Sequence, residues 1–336
     1  MPQGILHLFV TFTFAIVLSL YLTPIVRQGA MRFGVLDHPD GKLKRQHEPI
    51  PYLGGIAIYL TFLITLAIIY EFSAYLLGLL LGSTIMVMLG LFDDMKVLPP
   101  WLKLAGQFLA AFVLIKSGIA VQLEILPEGL SYLVTVLWLV FITNAVNIID
   151  VADGLASGVG AIAALALGWI AWRNGNILVA TTAVALAGSL IGFLKFNFPK
   201  ARIYLGDAGS LLVGFMLAAL SMIAAYTRQN IASIIVPGVL LFIPILEMAL
   251  VSLARIVRRA APWHGSGDHF ALRLQHRGWS ARQIALTTYL VGIAGAAIGF
   301  IMIESTLNIA LVLGAGVIFL GLLLLVWLWW YCPPPY

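Results

Sequence analysis

Residues 131–173 read SYLVTVLWLVFITNAVNIIDVADGLASGVGAIAALALGWIAWR and decide the fold of this chain. Two apolar segments, 131–147 and 158–173, lie on either side of a short polar stretch. A helix crosses the bilayer core with about 20 mostly apolar residues. Each segment therefore predicts a membrane-spanning helix, and the polar stretch lies where the two helices meet the membrane surface.

The polar stretch itself has a regular pattern. Asparagine or aspartate occupies every third position, at Asn144, Asn147, Asp150 and Asp153. Steps of three turn a helix by about −60°, so neighbouring members share a face while the whole series fans over about 180°. Gly154 and Gly158 would allow the helix to end within the stretch. Such a fan could line a cleft.

The apolar character extends over the whole chain. Of its 336 residues, 62% are hydrophobic and 10% are charged, against about 45–50% and 25% in soluble domains. These values exclude a soluble globule, a disordered protein and a nucleic-acid-binding domain. The single cysteine, Cys332, excludes an internal disulfide and a cysteine-based metal site. The sequence predicts an all-α polytopic integral membrane protein of about eleven helices, at 4–26, 52–70, 75–92, 101–120, 131–147, 158–173, 176–195, 210–226, 231–256, 284–303 and 307–330.

Basic residues orient these spans. With the N-terminus outside and the C-terminus inside, only Lys116, Arg173 and Arg228 of the 19 lysines and arginines lie outside, as the positive-inside rule favours. The same orientation places eight aspartates on the inner face, where the interface or a hydrated cavity spares them the cost of burial in lipid. We expect one membrane domain, residues 1–336, with inner loops at about 27–51, 93–100, 148–157, 196–209 and 257–283.

Two inner segments combine acids with helix ends. Asp93 and Asp94 end a span, where negative charge opposes the helix dipole and the two carboxylates repel each other; a divalent cation or a proton-transfer role would compensate. Asn197 precedes the sequence GDAGS, which contains Asp207 and opens another span. The glycines there leave backbone N–H groups free to face an anion.

Two further loops are basic. Lys44, Arg45 and His47 form a cluster that suits a diphosphate, although a positive-inside signal explains it equally well. The late loop 255–283 contains three histidines, and their spacing excludes a helical zinc site; His269, beside Asp268, is the least dispensable. Glu247 lies inside a predicted span, so it needs a partner or a proton.

Together these motifs resemble the polyprenyl-phosphate N-acetylhexosamine-1-phosphate transferase family, from Asp37 to about Gln283. The matching elements are DD-x(5)-P at 93, N-x-x-N-x-x-D-x-x-D-G-L at 144, and F-N-x-P with G-D-x-G-S at 196–210. The resemblance implies that a polyprenyl (undecaprenyl) phosphate attacks the β-phosphorus of a UDP-sugar and releases UMP. It implies Mg²⁺, with Mn²⁺ as an alternative, a place in the bacterial inner membrane, a cytoplasmic active site, and the first membrane step of a cell-envelope glycan pathway. Direct attack, a covalent intermediate and a homodimer all stay open.

The family's roles carry over by position. The implied catalytic residues are Asp93, Asp94, Asp150 and His269. Substrate binding is implied for Lys44, Arg45, His47, Asn144, Asn147, Asp153 and Asn197. The implied metal ligands are Asp207, Asp94 and Asp150.

Two departures from the family pattern concern the loops. Val151 replaces a glycine and stiffens its loop, while the aspartates remain. In the late loop, Ala271 and Leu272 replace two histidines of a His-x-His-His run that helps to recognise the sugar side of the donor in relatives. This loss argues against a MurNAc-pentapeptide donor, and UDP-GlcNAc is expected from family frequency alone.

Two other classes of membrane protein share single features of this sequence. A CDP-alcohol phosphotransferase shares the D-x-x-D-G pattern, but the arginine and the further aspartates of that family are missing after Gly154. A secondary transporter with an inner-face acidic site would show acids at midplane depth or paired broken helices. Glu247 is the single midplane candidate.

Overall fold

The computed structural model describes residues 3–37, 48–69, 73–121, 127–224, 226, 230–259, 261 and 267–334. Most of these residues are helical. The helices are α1 (Gln3–Arg32), α2 (Gly54–Ile69), α3 (Ala74–Met95), α4 (Pro100–Lys116), α5 (Glu128–Ile149), α6 (Leu155–Arg173), α7 (Ile177–Asn197), α8 (Gly206–Ile223), α9 (Val236–Leu240), α10 (Phe242–Val257), α11 (Phe270–His276), α12 (Ala281–Glu304) and α13 (Leu307–Tyr331). A 3-10 turn, Ile231–Ile235, precedes α9, and the strands β1 (Leu36–Asp37) and β2 (Ile50–Pro51) pair antiparallel.

Each predicted span overlaps one or more of these helices, which confirms an all-α membrane protein. In the described part of the chain, eight helices are individually long and apolar enough to cross a membrane, and a bent pair raises the number to nine. The difference from eleven lies in α2 and α4, which have 16 and 17 residues. These lengths correspond to about 24–26 Å, somewhat less than the hydrocarbon core.

The predicted span 231–256 is broken. Residues Ile231–Leu240 and Phe242–Val257 meet at an angle of 71°. Pro244 lies in the first turn of α10, and it has no amide hydrogen to continue the ladder of helical bonds across residue 241. The break separates two short helices where the apolar pattern alone predicts one.

Helix α8 forms the centre of the bundle. It packs against α2, α3, α5 and α6, while α7 joins α6 to α1. Most residues of α6, α7 and α8 are buried inside the protein, whereas few residues of α1, α12 and α13 are buried, as expected for helices that face lipid. The first residues of α8 are therefore held from several sides.

The segment before α2 and the segment before α8 bind each other through their backbones. Tyr204 N–H donates to the carbonyl of Pro51, and the N–H groups of Gly54 and Gly55 donate to the carbonyls of Tyr204 and Leu205. Two inner loops predicted to carry chemistry, 27–51 and 196–209, are thus joined at one end of the bundle.

Candidate active site

The C-terminal turn of α3 and the first turn of α8 touch through glycines. A Cβ on Gly90 would lie 2.3 Å from the amide nitrogen of Ala208, and a Cβ on Gly55 would lie 2.1 Å from that of Gly209. Both distances are below contact distance, so only glycine allows this approach. The close packing places the residues one turn after Gly90 beside the start of α8.

Asp94 is one such residue, and its carboxylate faces the α8 N-terminus. Its Oδ1 accepts from the N–H of Asp207 at 2.8 Å, and its Oδ2 accepts from the N–H of Ala208 at 3.1 Å. A carboxylate is favoured there because free N–H groups and the helix dipole both attract negative charge. Gly206, at φ +74°, makes the turn that exposes these amides. The sequence predicts that the backbone N–H groups at the start of α8 face an anion. In the structure, the group that they face is the carboxylate of Asp94.

Asp93 and Asp207 share a lysine. One Asp207 oxygen accepts from the side-chain amide of Asn147 at 2.8 Å, and one Asp93 oxygen accepts from the N–H of Leu98 at 2.7 Å. The other oxygen of each carboxylate contacts the Lys103 ammonium, which lies 3.3 Å from Asp207. The Asp207 side chain remains 32% exposed, so a ligand can reach it.

The predicted asparagine and aspartate series lies at the end of α5. The helix ends at Ile149, so Asp150 follows its last turn, and the predicted break within the polar stretch is confirmed. Asn144 and Gln107 exchange side-chain hydrogen bonds of 2.8 and 3.2 Å. Gln107 lies one turn after Lys103 in α4, so α4 and α5 present their polar side chains to each other.

Asp150 is a buried loop carboxylate close to three other acids. Desolvation raises its pKa well above the ordinary value, and the negative charges of Asp207, Asp94 and Asp153 raise it further. The structure shows no hydrogen bond to this carboxylate from any described residue. An added cation would relieve both causes.

Asp153 binds the loop before α8. Its Oδ2 accepts from the N–H of Ala201 at 2.9 Å. Burial raises the pKa of Asp153, and this hydrogen bond partly offsets the effect. Burial and the nearby charges of Asp153 and Asp37 raise the pKa of Tyr204 to about 12, so Asp37 and Asp153 lie at the same end of the bundle.

Asn197 also joins loops. Its side-chain oxygen accepts from the N–H of Gly154 at 3.1 Å and from the hydroxyl of Ser157 at 2.8 Å, and its amide donates to the carbonyl of Ile203 at 3.0 Å. The residue is buried. In this structure Asn197 holds the polar stretch against the segment that leads to α8.

His269 belongs to another cluster, in the late loop. Its Nδ1 lies 2.8 Å from Oε1 of Glu247, whose Oε2 accepts from the N–H of Phe270 at 3.2 Å. Glu247 is fully buried. The partners expected for a buried acid are the imidazole of His269 and the backbone N–H of Phe270, the first residue of α11. The contacts described for His269 do not include Asp93, Asp94 or Asp207.

A buried ion pair fixes the same loop to the last helix. Asp268 Oδ1 accepts from Arg258 at 2.9 Å and from Arg273 at 3.0 Å. Arg273 also donates to the carbonyls of Leu328 and Cys332, at 3.2 and 3.0 Å. The end of α13 therefore holds α11 in place.

Other predicted residues cannot be placed. Lys44, Arg45 and His47 lie outside the described residues, as does the part of the late loop at 262–266. In the ranges that the structure does describe, no group of three or more His, Cys, Asp or Glu side chains is arranged to hold a metal ion. In the acidic cluster, Lys103 contacts both Asp93 and Asp207, and Asp94 accepts from backbone amides.

Lys103 and Gln107 belong to this cluster, although the sequence by itself predicts only that Lys103 is an inner-side basic residue. A signal was present, because Lys103 and Gln107 are four residues apart on one face of an otherwise apolar helix. Their partners lie in α3, α5 and α8, which the sequence of α4 does not reveal.

Comparison with known proteins gives consistent results. The family model "Glycosyl transferase family 4" matches residues 76–225. The chain is 28% identical to a probable undecaprenyl-phosphate N-acetylglucosaminyl 1-phosphate transferase of Bacillus subtilis, over 93% of this chain and 89% of the relative. It is 33% identical to a decaprenyl-phosphate N-acetylglucosaminephosphotransferase of Mycobacterium leprae (83% and 80% covered). It is 30% identical to a phospho-N-acetylmuramoyl-pentapeptide-transferase of Halalkalibacterium halodurans (86% and 94%).

Proposed function

Because this chain belongs to glycosyl transferase family 4, we propose that it transfers a sugar 1-phosphate from a UDP-sugar to a polyprenyl phosphate and releases UMP. This reaction would be the first membrane step of a cell-envelope glycan pathway. The observation that carries the proposal is the junction of Asp93, Asp94 and Asp207 with Asn147 and Lys103 where α3, α4, α5 and α8 meet.

In the proposed reaction, an oxygen of the polyprenyl phosphate bonds to the β-phosphorus of the donor. The bond between that phosphorus and the bridging oxygen breaks, and the oxygen leaves with UMP. Asp93 and Asp94 are the adjacent acids that could accept a proton from the lipid phosphate. Both Asp94 oxygens accept hydrogen bonds from the backbone of α8, whereas Asp93 accepts one from Leu98 and contacts Lys103.

The acidic cluster fits Mg²⁺, with Mn²⁺ as a substitute. Asp207 and Asp150 would hold the ion, because Asp207 is accessible and Asp150 has three negative neighbours and no described hydrogen-bond donor. Magnesium commonly uses one or two carboxylates and completes its coordination with waters and substrate phosphates, so a protein site of three ready ligands is not required. When bound, the ion would neutralise charge on the leaving phosphate.

We assign a supporting role to His269. An ionised Glu247 can only accept a hydrogen bond, so Nδ1 of His269 would carry the proton and Nε2 would stay available. A fixed imidazole of this kind is suited to contact a substrate phosphate. The buried Asp268–Arg273 pair keeps the loop that carries it in position.

For the donor we propose UDP-GlcNAc. Two of the relatives described above are named for N-acetylglucosamine, and one is named for the muramoyl-pentapeptide. Position 271, which is histidine in the run expected from the family resemblance, is here an alanine that is fully buried. A buried alanine offers no side-chain hydrogen bond to a donor, which fits the loss of the histidine run expected for a muramoyl-pentapeptide donor.

We also propose the finer topology. Counting α2, α4 and the bent segment 231–257 as spans gives eleven, with the N-terminus outside and the C-terminus inside a bacterial inner membrane. The Lys and Arg bias supports this orientation. The active site then faces the cytoplasm, where UDP-sugars are made.

The test is UMP release by purified protein with undecaprenyl phosphate, Mg²⁺ and a panel of UDP-sugars offered singly. We expect release with UDP-GlcNAc, loss on adding EDTA, and a loss of at least about 100-fold in Asp207→Asn. The folded state of that variant is checked by its melting temperature. Wild-type protein that is folded but releases UMP from no donor would contradict the proposal; uptake assays in proteoliposomes would then test transport.

A further inference from the structure

Lys103 holds a position that the proposed function leaves unexplained. Its ammonium contacts one oxygen of Asp93 and one of Asp207. The second oxygen of each carboxylate is fixed independently, by the N–H of Leu98 and by Asn147. One oxygen of each carboxylate is therefore fixed by a hydrogen bond from the protein, and the other oxygen contacts the Lys103 ammonium.

The lysine is not placed there by its own helix. It is the fourth residue of α4, and a positive charge in the first turn of a helix is opposed by the helix dipole. The Lys103 side chain is also only 27% exposed, and that of Asp93 only 5%. The two carboxylates must compensate the unfavourable dipole and the lost hydration, so they and the lysine depend on each other.

We propose that Lys103 is the resident counter-ion of the acidic cluster and competes with the divalent cation for Asp207. The inference rests on the proposed function, because it assumes that a divalent cation binds at this cluster. A monovalent ammonium and a divalent ion cannot share the same Asp207 oxygen, since they repel each other and need the same space. Four rotatable side-chain bonds allow the ammonium to withdraw without moving α4.

Competition has a consequence for the enzyme between turnovers. Lys103 neutralises part of the negative charge when no cation is bound, which stabilises helix ends crowded with aspartates. The same contact weakens cation binding in the free enzyme. A substrate that brings phosphate oxygens supplies new ligands for the cation and a new partner for the ammonium, so cation and substrate bind together.

The test is Mn²⁺ binding to purified protein in nanodiscs, without substrates, followed by electron paramagnetic resonance. We expect Lys103→Gln to bind Mn²⁺ about tenfold tighter than wild type or more, because a positive charge a few ångströms from a divalent ion costs at least that much even in water. Lys103→Arg retains the charge and should bind as weakly as wild type. Lys96→Gln removes the same charge from an exposed neighbour and should change the affinity less than about twofold.

A structural role alone would not tighten cation binding. Equal or weaker Mn²⁺ binding by Lys103→Gln overturns the proposal, and so does equal tightening in Lys96→Gln. If Lys103→Gln is unstable, Mn²⁺ should raise its melting temperature more than that of wild type, because the ion replaces the lost ammonium; no such rise, in it or in Lys103→Met, overturns the proposal. UMP release by wild type is scored separately, so failure of the lysine's role and failure of the transferase assignment are distinguishable.

Discussion

At the scale of single residues, the adjacent acids Asp93 and Asp94 have different surroundings. Asp94 is directed at the backbone of α8 and Asp93 at a lysine of α4. Successive residues of a helix point about 100° apart. One carboxylate of the pair therefore contacts α8 and the other contacts α4. The pair is more than a solvated helix end, because one acid positions the helix that presents Asp207.

The hydrogen bonds of Asp94 predict a local effect. Replacing it by alanine should speed amide hydrogen exchange at the start of α8, residues 206–209, about fivefold, because a helix cap of this kind contributes about 1 kcal/mol. Hydrogen-exchange mass spectrometry measures this directly. Asp93→Asn is the matched control and should leave those amides protected; equal exchange in the two variants would show that Asp94 does not cap α8.

Asp153 predicts a dependence of stability on pH. Its pKa is raised in the folded protein, so its ionisation opposes folding. The unfavourable contribution is absent below the ordinary pKa of 3.8 and grows until the pH exceeds the raised pKa.

Asp153→Asn stays neutral and can still accept from Ala201. Its melting temperature should match that of wild type near pH 4 and exceed it at pH 8. Thermal unfolding of both proteins across this range checks the prediction. A difference that does not vary with pH would mean that the two folded states differ in packing and not in charge.

At the scale of elements, glycines set the geometry of the site. Helix α3 approaches α8 at Gly90, and the first turn of α2 approaches it at Gly55. Each missing side chain brings a backbone close enough for polar groups at the helix ends to meet. A bend between α9 and α10 also contributes to the geometry at this scale. Helix α10, which follows the bend, carries Glu247, and Glu247 contacts the start of α11.

Gly90→Ala should therefore separate α3 from α8. The added methyl group would lie within 2.4 Å of three backbone atoms of α8, and overpacking of this kind costs about 1–3 kcal/mol. We expect a lower melting temperature and a loss of UMP release. Gly316→Ala, where nothing lies within 4 Å of the added methyl group, is the control; equal stability of the two variants would show that the bundle tolerates the wider spacing.

At the scale of the whole molecule, the chain surrounds α8 with helices that shield it from lipid. The helices with the most exposed apolar surface, α1, α12 and α13, lie at the periphery. The acidic groups gather at one end of the bundle, where α3 and α5 end and α8 begins. The membrane orientation then decides which compartment supplies the donor.

Cysteine labelling tests that orientation. In a background without Cys332, Lys96→Cys should react with an impermeant reagent only from the cytoplasmic side. Arg173→Cys should react only from outside, because α4, α5 and α6 separate the two positions by an odd number of spans. Sealed right-side-out and inverted vesicles provide the comparison. Labelling of both positions from the same side would contradict the eleven-span topology.

Much of the candidate site could be predicted from the sequence because its residues are polar in an apolar chain. Asp93, Asp94, Asp207 and Asn147 were all identified, and the structure brings them together. Lys103 was not identified, because inner-side lysines are common in membrane proteins for reasons of orientation. Asn197 was predicted to bind substrate, whereas its side-chain contacts in the structure are to the protein itself.

The sequence by itself determined that the chain is an all-α membrane protein and where its acidic helix ends lie, because the bilayer imposes the length and polarity of each span locally. Only the tertiary structure decided which oxygen of each aspartate is held by the scaffold and which faces Lys103. It also decided that the apolar run 231–256 bends and that Glu247 meets His269. These features depend on packing between residues far apart in the chain, and the contacts across glycines and at helix ends that produce them leave no periodic pattern in any one segment.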